Sequence, residues 1–236
     1  MHEQNIYDDQ VFFEGYKKLR ANPLSANVVI EKPALFSLCP DFAGKTVLDL
    51  GCGYGENCKR IVGAGAKSVV GIDISEKMLQ VANAENSGEN IAFLHMSMNR
   101  LDELNQTFDV VLSSLAVHYI EDFGALMQSV HRLLNRGGVF IFSQEHPLTT
   151  AVRDGDYWAK DDVGNVLHYK LTDYGISGAR QMHWIVDGVT KYHRTFSDIV
   201  NALANAGFAI EQVLEPAEDD SRHNHKPLFL LIRAKA

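Results

Sequence analysis

Residues 47–55 read VLDLGCGYG, and no other segment constrains the chain as tightly. Apolar residues flank Asp49, and glycines then stand at positions 51, 53 and 55. A run of this kind is a buried parallel strand that ends in a turn nearly free of side chains and feeds a helix. Glycine in that turn lets a ligand come close to the main chain. The helix start beyond it offers unpaired amides and a partial positive charge. The spacing is G-x-G-x-G, because Glu56 stands where the dinucleotide fingerprint has its last glycine.

Asp73 closes the next apolar run, SVVGID. An acid at the tip of a second strand is placed to accept both ribose hydroxyls of an adenosine. Further buried-type strands are expected at 46–50, 91–96, 108–113 and 138–143, with helices at 56–63, 76–86 and 123–134. Ser75 reads as an N-cap, and Asn135-Arg-Gly-Gly as the stop of the last of these helices. Alternating strands and helices imply an α/β fold with a parallel sheet, right-handed crossovers and helices on both faces. Ligands of such a sheet bind outside the carboxyl ends of its strands, near the switch in strand order.

Outside this pattern, residues 1–40 hold two mostly helical stretches split by Asn22-Pro23 and read as a helical lid. Residues 146–195 break the alternation with Gly155, Gly164, Gly175, Gly178 and Gly188 among aromatic and β-branched residues. They read as an inserted, β-rich, substrate-side subdomain with strands near 165–171 and 189–195. A helix at 196–206 and strands at 208–214 and 228–234 return to the core, which comprises 41–145 and 196–236. A strand–strand ending predicts an antiparallel hairpin that completes the sheet.

The length suits one domain with a sizeable core. A net charge of −8 argues against nucleic acid or an anionic membrane as partner. No apolar run reaches the roughly 18 residues of a membrane span, and the polar start MHEQNIYDDQ is unlike a secretory signal. Cys39, Cys52 and Cys58 are odd in number and form no C-x-x-C pair, so reduced thiols and a cytoplasmic location are expected. His223 and His225 have H-x-H spacing but read as surface histidines, and no metal is expected.

The segments VLDLGCGYG, VVGIDIS, FDVVLSSLAVHYIED and LLNRGGVFIFSQ resemble successive motifs of the class I S-adenosylmethionine-dependent methyltransferases, in that family's order over roughly residues 44 to 145. The resemblance implies a Rossmann-like fold with a mostly parallel seven-stranded sheet and an antiparallel last strand, S-adenosyl-L-methionine as cofactor, and methyl transfer by in-line displacement. It puts Asp49 at the amino group of the methionine part. It places Gly51, Gly53 and Gly55, with the small Cys52 between them, in the backbone cradle. Asp73 falls at the ribose, and Ile74 and Met78 over the adenine. After the third strand the family often carries an acid for the adenine amino group. Here Ser97 takes that slot, beside Met98, whose amide would serve the ring. Ser114 and Leu115 would line the floor, and His118 would stand near the methionine part. Arg20, with Tyr16 and Asn27, would belong to the lid and pair with a carboxylate of cofactor or substrate.

No Asn/Asp-Pro-Pro-Tyr/Phe motif follows the fourth strand, whereas the hydrophobic-His pattern there resembles methyltransferases of small molecules. A small-molecule acceptor methylated on oxygen, carbon or an amine is therefore expected, with a homodimer left open. His146, just past the fifth strand, is the leading candidate for a general base. Tyr192 and His193 form a second candidate pair, and His183, Trp184 and Tyr169 either line a cavity built by the insertion or form that subdomain's core. In a strand, Tyr192 and Arg194 face one way, and Lys191, His193 and Thr195 the other. Two alternatives stay open: a catalytically silent S-adenosylmethionine-binding regulator, and a nucleotide-dependent oxidoreductase.

Overall fold

The apolar runs form strands because each has two faces to bury. In β1 (Thr46–Leu50), Val47 packs to one side while Leu48 and Leu50 pack to the other. The same alternation divides Val110 and Leu112 from Val111, and Val139 and Ile141 from Phe140 and Phe142. A computed structural model describes residues 3–153, 157–216 and 226–236; Gly155, His223 and His225 lie outside the described residues.

From the chain start come α1 (Gln10–Arg20), a π-helical turn (Asn27–Glu31) and α2 (Lys32–Ser37). The core then alternates β1, α3 (Glu56–Gly63), β2 (Ser68–Asp73), α4 (Glu76–Glu85), β3 (Ile91–His95), β4 (Phe108–Ser113), α5 (Phe123–Leu133) and β5 (Leu134–Glu145). The intervening segment holds α6 (Pro147–Ala151) and two hairpins. One pairs β6 (Trp158–Lys160) with β7 (Val166–Tyr169), the other β8 (Gly178–Trp184) with β9 (Val186–His193). α7 (Phe196–Asn205), β10 (Ala209–Leu214) and β11 (Phe229–Lys235) complete the chain.

Among the described residues, seven strands make one sheet in the order β3-β2-β1-β4-β5-β11-β10. β1 through β5 pair in parallel, and β11 runs antiparallel between β5 and β10. The strand–strand ending is thus the expected antiparallel hairpin. β1 is the switch point: its carboxyl end faces a crevice bounded by the ends of β2 and β4, where such sheets bind ligands.

Ser75 caps α4 by accepting from the Met78 amide at 3.1 Å, as expected. Two of the boundary differences from the sequence reading have a clear local cause. α5 stops at Leu134, which is already extended, so Asn135 to Gly138 belong to β5 rather than to a helix stop. Gly138 is needed there for space, since a Cβ would meet the Asn135 carbonyl oxygen at 2.9 Å. β9 ends at His193 because Thr195 leaves the strand to cap α7 in a reciprocal box with Asp198. Among the described residues no helix is long and apolar enough to cross a membrane.

Candidate active site

The glycine turn is closed from below by the neighbouring strand. The Gly51 and Cys52 amides both donate to the Ile72 carbonyl at 2.9 Å. Gly51 has φ +70°, and a Cβ on it would lie 2.5 Å from the Ala116 methyl, so only glycine fits. Gly53 has φ +53°, and a Cβ there would face open space on the cavity side. Its amide donates to Asp73 Oδ2 at 2.8 Å, while the Ser75 amide donates to Oδ1 at 2.9 Å. Asp73 therefore ties the turn to the start of α4 and keeps a second lone pair on each oxygen for a ligand. Burial raises its pKa, and these amides oppose the rise.

Asp49 lies deeper. It is fully buried; Oδ2 accepts from the Cys58 thiol at 3.3 Å and Oδ1 has no partner. Burial, reinforced by the Asp73 and Glu31 carboxylates, pushes its pKa up to about 7. Glu31, on the π-helical turn, is buried too and accepts from Ser114 Oγ at 2.8 Å, from Asn27 Nδ2 at 2.9 Å and from Ser143 Oγ.

Above the turn is a cavity of about 380 Å³. Of the sequence-predicted cofactor residues, Gly51, Cys52, Gly53 and Asp73 line one wall, Ile74, Met78 and Met98 a second, and Ser114, Leu115 and His118 the floor. Arg20 lines the rim with Tyr16 and Asn27, and it bonds to Asn27 and to Glu56, which also pairs with Lys32. Asp49, Gly55 and Ser97 do not line it. Gly55 makes room for the Phe93 ring, whose nearest atom would lie 2.4 Å from an added Cβ.

The far end is formed by Trp184, which the sequence reading set in an insertion-built cavity, and by Tyr7 and Tyr119, which it did not single out. Tyr7 and Tyr119 share a hydroxyl–hydroxyl bond of 3.2 Å, and Trp184, at the tip of the β8–β9 hairpin, stands edge-on to Tyr7 and Tyr16. Glu145 ends β5 and accepts from Lys191 Nζ at 2.5 Å, while its Oε2 is buried without a partner. Burial favours the neutral acid, but the Lys191 ammonium, by charge and hydrogen bond, outweighs it and holds the Glu145 pKa below the usual range. His118 Nδ1 is likewise buried and unpartnered, and desolvation lowers its pKa to about 4, so the ring is neutral near pH 7. Local periodicity carried no signal for Tyr7, whose place here depends on long-range packing against the hairpin.

The three sequence-predicted catalytic residues stand outside this cavity. His146 caps α6, accepting from the Leu148 amide at 3.1 Å through Nδ1 and pairing through Nε2 with Glu215 at 2.8 Å. His193 is fully buried between Thr150 Oγ1 and the Tyr174 carbonyl, each 2.9 Å from a ring nitrogen. The Tyr192 hydroxyl points to Glu121 at 3.4 Å. Lys191 and His193 share the buried face of β9, as alternation required, and Arg194 turns in to hold the Ile120 and Glu121 carbonyls. Of the other aromatic and histidine candidates in the insertion, Trp184 reaches the cavity, whereas His183 pairs with Asp187 and Tyr169 bonds the Leu148 carbonyl.

Comparison with known proteins decides the family. A sequence model described as a methyltransferase domain matches residues 48–142. The solved S-adenosylmethionine-dependent methyltransferase of Mesorhizobium loti is 38% identical, with a TM-score of 0.81 over 90% of this chain and 99% of that one. The chain belongs to the class I S-adenosylmethionine-dependent methyltransferases. An uncharacterized protein of Haemophilus influenzae is 42% identical to this methyltransferase over 98% of its length and 96% of the relative's. A ubiquinone biosynthesis O-methyltransferase of Ruegeria pomeroyi is 39% identical over 104 residues, which span 43% of this chain and 42% of that one. The methyltransferase uses S-adenosyl-L-methionine, which sets aside the nucleotide-dependent oxidoreductase. Its residues fit that cofactor: a glycine turn whose Gly53 leaves open space against the cavity, a buried carboxylate beside it, and an orphaned carboxylate oxygen on Asp49. Among the described residues, no group of three His, Cys, Asp or Glu is arranged to hold a metal.

Proposed function

We propose that this methyltransferase moves a methyl group to a small-molecule acceptor held at the Glu145–His118 end of the cavity. The observation that carries the reading is the pair of buried, unpartnered polar atoms there, Glu145 Oε2 and His118 Nδ1, set in the wall formed by Tyr7, Tyr119 and Trp184. Unpaired buried polar atoms cost about 1–3 kcal/mol each, and a ligand that pairs with both removes that cost. The aromatic wall suits a compact acceptor, and the Ruegeria relative is itself named for ubiquinone biosynthesis.

On this reading Asp73 accepts from the ribose and the Gly51–Gly53 backbone lies against the cofactor. Ile74 and Met78 cover the adenine, the buried Asp49 carboxylate attracts the methionine amino group from beneath the turn, and Arg20 takes its carboxylate. S-adenosylmethionine, when bound, supplies an electrophilic methyl on a sulfonium. The aromatic faces of Tyr7, Tyr16 and Tyr119 favour a cation beside them. Glu145, ionised through Lys191, accepts the hydrogen bond of the acceptor's O–H or N–H and turns its lone pair toward the methyl. Neutral His118 donates or accepts on the other side. The Tyr7 and Tyr119 hydroxyls, pushed well above 10 by burial, stay protonated and only position. Proton handling thus rests on Glu145 and His118 rather than on His146, His193 or Tyr192. Residues 41–145 with 196–236 carry most of the cofactor contacts, while 1–40, which also bring Arg20 to it, and 146–195 shape the acceptor end.

The test is transfer of labelled methyl from S-adenosylmethionine into a fractionated cell extract. Label is expected in the low-molecular-mass fraction. Label confined to RNA or protein contradicts the reading.

A further inference from the structure

Ser97 occupies the slot in which the family often carries an acid, yet its side chain is already spent. Its one hydroxyl proton goes to the Glu3 carboxylate at 2.5 Å, and its oxygen accepts from the Asn99 amide at 2.9 Å. Ser97 does not line the cavity, but Glu3 does. We propose that Glu3, delivered by the N-terminal strap, supplies the carboxylate that accepts from the exocyclic amine of the adenine, with Ser97 orienting it. The proposal rests on reading this cavity as the cofactor site.

Three observations support it. First, the strap beside Glu3 is pinned on both sides of the cavity mouth. Gln4 bonds the Gly188 carbonyl at 2.9 Å and the Thr190 amide at 2.8 Å on the inserted hairpin. Asn5 bonds the Ile74 carbonyl at 3.1 Å, and Asp8 accepts from Ser75 Oγ and from the Lys77 amide at 3.1 Å at the start of α4. Glu3 is therefore held in place by its neighbours.

Second, the wall between Asp73 and Glu3 suits a flat apolar ring. Ile74, Met78, Met96 and Met98 line it, and the Met96 amide donates to the Asp73 carbonyl at 2.9 Å, joining the tips of β2 and β3. With Asp73 at the ribose, a base lying along this wall carries its amine edge toward Glu3. That amine is a pure donor, and an ionised carboxylate is a pure acceptor.

Third, the serine and the glutamate make sense only together. An acid at position 97 would put a second carboxylate within hydrogen-bond distance of Glu3 and repel it, whereas a hydroxyl donates to it. The short side chain at 97 is what lets the strap bring in the charge. Closure of the strap and recognition of the adenine then become one event, reporting to the inserted hairpin through Gln4.

The experiment is calorimetry with S-adenosylhomocysteine and with its inosine analogue, in which a carbonyl replaces the exocyclic amine. The proteins are the wild type, Glu3→Ala, Ser97→Asp and the double variant. Wild type is expected to prefer the adenosine compound. Glu3→Ala should weaken it by about 10- to 100-fold, the worth of a charged hydrogen bond, and leave the analogue nearly unchanged. Ser97→Asp in the Glu3→Ala background should restore the preference by returning an acid to the same edge. Glu3 is exposed, so its replacement removes no buried group. Equal affinity of Glu3→Ala and wild type for S-adenosylhomocysteine overturns the proposal, as does an equal loss for both compounds. If wild type binds neither compound, the cofactor reading itself falls, and the proposal with it.

Discussion

Asp49 and Asp73 end adjacent parallel strands and meet the same force, burial, with unequal partners. Asp73 has two backbone amides on its carboxylate; Asp49 has one thiol and an empty oxygen. Replacing Asp73 with Asn removes the charge and one acceptor oxygen, so S-adenosylhomocysteine binding should weaken by about 1.5–3 kcal/mol, read by calorimetry. For Asp49 the folded-state pKa rises from 3.8 to about 7, so the folded state holds the proton more tightly than the unfolded chain. Its contribution to stability is full below the lower value and is lost as pH rises to the upper one. Asp49→Asn should flatten the stability profile of the cofactor-free protein across that window, measured by urea titration at several pH values. A cationic amino group beside Asp49 favours the carboxylate, so wild-type affinity for S-adenosylhomocysteine should increase as pH rises through about 7. In Asp49→Asn that increase should disappear.

At the scale of elements, the roof is set by how α1 meets the β8–β9 hairpin. Ile185 turns the hairpin at φ +67° and lies against Gly15 so closely that an added Cβ would sit 2.4 Å from its Cγ2. Gly15→Val should cost about 1–3 kcal/mol by overpacking and push the neighbouring Trp184 out of its aromatic cluster, with a red shift in tryptophan emission. An unshifted spectrum would show that this contact does not set the roof. Strands β1, β2, β4 and β5 were legible in the sequence because both faces of each are buried, and Ser75 because a cap is a local device. The start of β5 was not, because Gly137 and Gly138 serve as a bend in a strand as readily as they stop a helix. Within the site, Gly51, Gly53 and Asp73 could be placed from spacing alone. Tyr7 and Glu3 had no such mark, since their position depends on tethers to residues far along the chain, whereas Trp184 stood out as an aromatic of the insertion. His146 and His193 read as chemistry from sequence, and the structure surrounds both with partners that a cap and a buried hairpin require.

For the whole molecule, the cavity is a joint between three parts. The sheet brings Asp73, His118 and Glu145; the first helix and its strap bring Tyr7, Tyr16 and Arg20; the insertion brings Trp184 and, against Glu145, Lys191. The Glu145–Lys191 pair therefore binds the insertion to the end of β5 and charges the acceptor end at once. Glu145→Gln should leave S-adenosylhomocysteine affinity near wild type while lowering methyl transfer by about 10²–10⁴-fold, the usual span for a proton-handling group. A parallel loss of both would make it a scaffold residue. The most direct measurement is a crystal structure with S-adenosylhomocysteine bound. The expected result is a ribose on Asp73, a methionine tail between the glycine turn and Arg20, and a sulfur facing Glu145 and His118. A ligand seated elsewhere, or one whose sulfur faces away from those two residues, would contradict the account.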